Sequence, residues 1–152
     1  MAIWQYQVKM VPRSDFEDKR EIFLNNIDDF YTKITGWELS KLHTDILNEY
    51  LNREKHWSNS AILWGEEEST NVELFLQESI VEEISFRIDL REEQVKSYLQ
   101  LIIDFSKLND TVILNINDEL IEPTKKCLLD DIKKSVCYKF VSNPQKFIND
   151  LD

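Results

Sequence analysis

Three consecutive glutamates, Glu66, Glu67 and Glu68, stand between two apolar runs in ILWGEEESTNVELFL, residues 62 to 76. Carboxylates hold divalent cations and move protons in acid–base chemistry. A metal needs oxygens that converge, whereas adjacent side chains in a strand or loop diverge. Calcium loops solve this with acidic residues at alternate positions and a glycine at the bend. That pattern is missing around residues 66–68. Gly65 and EEESTN carry turn-forming residue types instead. The stretch reads as a hairpin turn whose acidic tip faces solvent or a partner.

The other chemistry-bearing residues are sparse. NINDELIEP, residues 115 to 123, gathers Asn115, Asn117, Asp118 and Glu119 but lacks the glycine and distal glutamate of a calcium loop. It reads as a turn. His43 and His56, on one helix, would be rotated about 220° apart and share no ligand site. No CxxC, HExxH, GxSxG, P-loop or GxGxxG occurs, and two glycines in the chain cannot build a phosphate cradle. Cys127 and Cys137, on one helix, would lie about 15 Å apart. A disulfide reaches about 7 Å, so both read as free thiols in a reducing compartment. Cys127, beside Leu128 and Leu129, reads as a small buried hydrophobe. The sequence therefore assigns no catalytic residue, no metal ligand and no cofactor.

Composition narrows the classes further. With 152 residues, 42% hydrophobic and 31% charged, the chain suits one domain with a sizeable core, residues 1–152. Its net charge of −11 argues against nucleic acid, which is bound through clustered Lys and Arg. The acidic surplus sits in the first 119 residues, and the remainder is roughly neutral. Such a surface is either plainly solvated or steers a basic protein partner. No apolar run approaches the roughly 20 residues of a membrane span, and the N-terminus lacks the pattern of a signal peptide. The expected location is the cytoplasm.

Periodicity supplies the elements that must position these residues. Trp4, Tyr6, Val8 and Met10 alternate with Gln5, Gln7 and Lys9 in a strand ended by Pro12. Phe16, Phe23, Ile27, Phe30 and Ile34 follow at helical spacing, with Ser14 or Asp15 as cap and Gly36 as stop. Leu42, Ile46, Leu47, Tyr50 and Leu51 predict a second helix from about 41 to 55. SAILWGE, NVELFLQ and VEEISFRIDL read as three strands, and residues 92–108 as a helix with a wide apolar face. Asp89 would cap that helix, with Glu92 completing a capping box. TVILNIN reads as an interior fifth strand parallel to its partner. PTKKCLLDDIKKS reads as a helix opened by Pro123, and VCYKFV as either helix or strand. NPQKFINDL reads as a terminal helix capped by Asn143. The expected fold is α+β with two layers: a mixed, mostly antiparallel sheet of about five strands with helices packed on one face.

If only one face is covered, the other carries Gln5, Gln7, Glu73, Phe75 and Arg87, joined by Ile62 and Trp64 if these point with Phe75. Trp64, Glu66, Glu67, Glu68, Glu73, Phe75 and Arg87 are accordingly the candidate partner-binding residues. The run WGEEESTNVELFLQESIVEEISFRIDLREE, continued by TVILNINDELIEPT and KFVSNPQKF, resembles small acidic bacterial proteins of unknown function, some of which resemble immunity proteins. The resemblance spans residues 60 to 150 and brings no catalytic motif. It implies a non-enzymatic module that occludes a basic protein, such as a secreted toxin. Two other classes stay open: a small-molecule binder or enzyme, and a self-assembling homo-oligomer joined through sheet edges or an open face.

Overall fold

A computed structural model describes residues 1–143. The expected terminal helix of NPQKFINDL falls outside them. The described chain is α+β, built on one open sheet of eight strands. Strand β1 (Gln5–Pro12) leads into three short helices, α1 (Arg13–Asp18), α2 (Arg20–Asn25) and α3 (Ile27–Thr32). Then come β2 (Trp37–Glu38), two 3-10 turns at Leu39–Lys41 and Asp45–Glu49, and β3 (Arg53–Glu54). The body of the sheet is β4 (Ala61–Gly65), β5 (Asn71–Gln77) and β6 (Ile80–Asp89). Helix α4 (Val95–Leu108), β7 (Thr111–Asn115), β8 (Leu120–Ile121), α5 (Lys125–Lys134) and α6 (Val136–Ser142) complete it.

The order across the sheet is β3-β4-β5-β6-β1-β7-β8, and β2 extends the β1 row by pairing with the first residues of β6. Every pairing is antiparallel, which corrects the expected mixed sheet. The crossover through α4 does make β6 and β7 run the same way, but β1 inserts between them and opposes both. Both outer strands, β3 and β8, are only two residues long, leaving little edge for another chain to extend.

Strand alternation sorts the side chains into two cores. Tyr6, Val8 and Met10 share one face with Trp64, Val72, Ile84 and Phe86, buried under Leu99, Ile102 and Phe105 of α4 and Leu128 and Ile132 of α5. Each such side chain contributes about 1.5–3 kcal/mol by leaving water. The opposite phase brings Val11, Val112 and Leu114 together beneath Phe16 and Phe30. Phe16, Phe23, Phe30 and Tyr31 stack edge-to-face in series, with centroids 5.2, 5.2 and 5.6 Å apart. Helices therefore pack on both faces, not on one.

Two helical expectations are corrected. The single helix after β1 breaks at Lys19 and again at Asn26, whose side chain caps α3 by accepting from Asp29 N–H. Asp15 is no cap: it is buried and accepts from Thr35 N–H (2.9 Å), Gly36 N–H (2.9 Å) and Lys19 Nζ (2.8 Å). Burial alone would raise the Asp15 pKa, but those donors outweigh it and hold it below the usual value. Residues 41–55 form the 3-10 turns and β3 instead of a helix. Asn48 accepts from Trp64 Nε1 (2.8 Å), the Asn52 carbonyl accepts from Gly65 N–H (2.8 Å), and Arg53 pairs with Trp64. These cross-strand bonds outcompete a weak local helix.

Candidate functional site

The face of the sheet opposite α4 is apolar at the end of β1 and along β7 but polar at β5 and β6. There the register sets Asn71 opposite Arg87, Glu73 opposite Ser85, and Phe75 opposite Glu83. Glu73 is buried, so its charge requires partners. His56 Nε2 lies 2.8 Å from Glu73 Oε2, and Arg87 donates to Oε1 at 2.5 Å. His56 Nδ1 accepts from Ser58 N–H at 2.9 Å, which places the ring proton on Nε2, donated to Glu73. Neither ring nitrogen is free to serve as a base.

The acidic turn of residues 66–69 leans over this network. Gly65 has φ +80°, and a β-carbon there would collide with the Thr70 carbonyl oxygen, so glycine is required where the strands part. What fixes the turn is its carbonyls. Trp4 Nε1 donates to Glu68 O (2.8 Å), and the buried Gln5 amide to Glu67 O (2.8 Å) and Ser69 O (2.5 Å). Asn71 Nδ2 reaches Glu66 O and Glu67 O, both at 3.0 Å. The carboxylates of Glu66, Glu67 and Glu68 remain exposed.

Residues after β6 brace the turn from outside. Arg91 lies 4.0 Å over the Trp4 ring and is bidentate to Asp89, at 2.9 and 2.7 Å. Burial pushes the Asp89 pKa up, but the Arg91 bonds more than reverse it and leave it lowered. Asp89 therefore serves Arg91, and the expected capping box is corrected: α4 starts at Val95 without a side-chain cap. Glu92 reaches the other way, accepting from Ser69 Oγ (2.5 Å) and Thr70 N–H (3.3 Å). Burial, then the charge and hydrogen bond of Glu92, push Tyr98 up to about 12.

Five of the candidate residues, Glu67, Glu68, Glu73, Phe75 and Arg87, line one cavity of about 400 Å³. Glu66 sits on the same tip outside it. Trp64 does not join them: with Ile62 it points to the opposite face, 3% exposed in the main core, under Arg53. Sequence reasoning missed Trp57, which closes the cavity wall while 83% exposed, its ring 5.1 Å from that of His56. It also missed His56 as the partner of Glu73; both lie between strands, where no periodicity marks them. Asn71 Oδ1 and Arg87 Nε are buried without a hydrogen-bond partner among the described residues.

Among the described residues, no group of three or more His, Cys, Asp or Glu is placed to hold a metal ion, and no helix is long and apolar enough to cross a membrane. No family model, no curated protein and no solved structure matches the chain.

Proposed function

We propose that the chain is a non-enzymatic binding module of the immunity or antitoxin type, acting in a bacterial cytoplasm by occluding a basic protein such as a secreted toxin. The observation that carries this reading is the exposed Trp57 beside Glu67 and Glu68 on a turn fixed by Trp4, Gln5 and Asn71. A large exposed aromatic ring beside a fixed turn is the kind of residue that anchors interfaces. The surrounding carboxylates steer a basic surface toward it, a pull that salt weakens. The commitment of both His56 nitrogens favours binding over acid–base chemistry at this place.

The test is affinity capture from the host's lysate and secreted fraction with three baits: wild type, Trp57→Ala, and Glu67→Lys with Glu68→Lys. A basic protein held by wild type at low salt, released by high salt and lost from both variants supports the reading. A partner indifferent to all three changes, or no specific partner, removes it.

A further inference from the structure

A second and larger concavity, about 820 Å³, lies between the start of β1, the β7–β8 turn and the α5–α6 pair, sharing only Met1 and Ala2 with the first. Its volume falls within the range of small-molecule sites, about 300–1,000 Å³. Its rim is apolar. Ile3, Ile116, Leu120 and Val136 are 43–59% exposed and all line it, so exposed large hydrophobics gather here instead of scattering.

Asp131, half-buried, lines the same cavity, its carboxylate aimed by two residues that are themselves almost wholly buried. Tyr6 OH donates to Oδ2 at 2.6 Å and Asn115 Nδ2 to Oδ1 at 2.9 Å; Tyr6 is 4% and Asn115 3% exposed. Asn115 is fixed in turn, its Oδ1 accepting from Asn117 N–H and Glu119 N–H. Burial, then the Asp131 hydrogen bond and charge, push the Tyr6 phenol far above its usual range, so it remains a donor. Both donors are neutral, and no ion pair among the described residues involves Asp131. Glu119, Glu122 and Asp130 add negative charge to the lining, which holds one basic side chain, Lys134. A preorganised carboxylate engaged in no ion pair among the described residues, in a mostly acidic lining under an apolar rim, is complementary to a cation carried on an apolar body.

We propose that this groove binds a small cationic amphiphile, its ammonium on Asp131 and its apolar body against Ile116, Leu120 and Val136. The proposal is independent of the partner-binding reading of the first cavity.

The test is titration of the full chain with n-octylamine, 1-octanol and octanoate, followed by backbone amide shifts. Octylamine should bind at least about tenfold more tightly than octanol, the scale of one hydrogen bond to a charged group. Its shifts should centre on Ile116, Leu120 and Val136, and octanoate should bind weakest. Asp131→Asn should abolish the preference for amine over alcohol while retaining alcohol binding. Should that variant melt early, Ile116→Lys, at an exposed rim position, places a repelling charge in the groove and should lose octylamine selectively. Equal affinities for amine and alcohol, shifts centred elsewhere, or an amine preference that survives both variants would overturn the proposal. So would a Leu–Lys peptide that displaces octylamine from the same residues at far lower concentration, since the occupant would then be a protein segment.

Discussion

One face of the sheet is finished in two ways. At β1 and β7 it presents Val11, Val112 and Leu114, and α1–α3 cover them with Phe16, Phe30 and their neighbours. At β5 and β6 it presents Asn71, Glu73 and Arg87, against which the His56 loop and the acidic turn lie. The first region is held by apolar area, which is tolerant of direction but needs volume. The second is held by a few directed bonds, each of which must be complete to be worth having. Substitutions should therefore fail differently: gradually with lost volume in the first, and abruptly with lost partners in the second.

The largest expected effect is in the aromatic series. Phe30 is fully buried and touches Phe23 and Tyr31 edge-on. Phe30→Ala should cost about 3–5 kcal/mol in chemical denaturation. Phe30→Leu should recover most of that loss, because volume is what counts there.

Next comes the charged network. Arg87→Met removes one of two partners of the buried Glu73 carboxylate while keeping the aliphatic bulk. It should cost about 2–4 kcal/mol, since the remaining charge keeps its desolvation penalty with only His56 beside it. Changing Glu73 to Gln in the same chain should recover part of that loss, a non-additivity that two independent sites would not give.

How these two regions were written in the sequence explains what could be read there. The alternation of Tyr6, Val8 and Met10 against Gln5, Gln7 and Lys9 is local, and so is that of Ile84, Phe86 and Ile88 against Glu83, Ser85 and Arg87. Both faces followed from it, as did the convergence of Glu73, Phe75 and Arg87. The second core was not read: Val11 follows Gln5, Gln7 and Lys9 on the polar phase of β1, and the uniformly apolar centre of β7 does not show that Val112 and Leu114 face a second layer of helices. What stayed hidden depended on distant bonds. Residues 41–55 carry a helical apolar pattern, yet Asn48, Asn52 and Arg53 are claimed by Trp64 and Gly65. Those contacts have no signature within the segment. Trp64 sits on a five-residue strand too short and too uniformly apolar to fix its phase. His56 and Trp57 lie in a loop, where function has no period.

A third effect separates the regions by pH. Asp15 anchors the link from α1 to Gly36, and its pKa is lowered in the folded chain. A lowered folded pKa gives stability that is present above the unfolded value, about 3.9, and lost as pH falls through the folded one. Asp15→Asn should cost about 1–2 kcal/mol at pH 7, as one donor loses its ionised acceptor. The gap between variant and wild type should narrow as pH falls below the unfolded value and close once it has passed the lowered folded one. A gap that persists at low pH would show that geometry, not charge, is what Asp15 supplies.

The smallest effect on stability is the most informative about function. Glu67 and Glu68 hold the turn through their carbonyls, which accept from Gln5, Asn71 and Trp4, and their carboxylates take no part in those bonds. Glu67→Gln with Glu68→Gln should therefore shift stability by less than about 0.5 kcal/mol, as exposed substitutions do. Relief of repulsion within the acidic tip makes a slight gain the expected sign. Gln5→Leu, which leaves both carboxylates in place and removes two donors to the turn, should cost more. If the double glutamine variant proved the more damaging, the carboxylates would be structural, and the case for their facing a basic partner would fall with them. If it is silent in stability, two charges are held at the mouth of a cavity for a reason the fold does not supply.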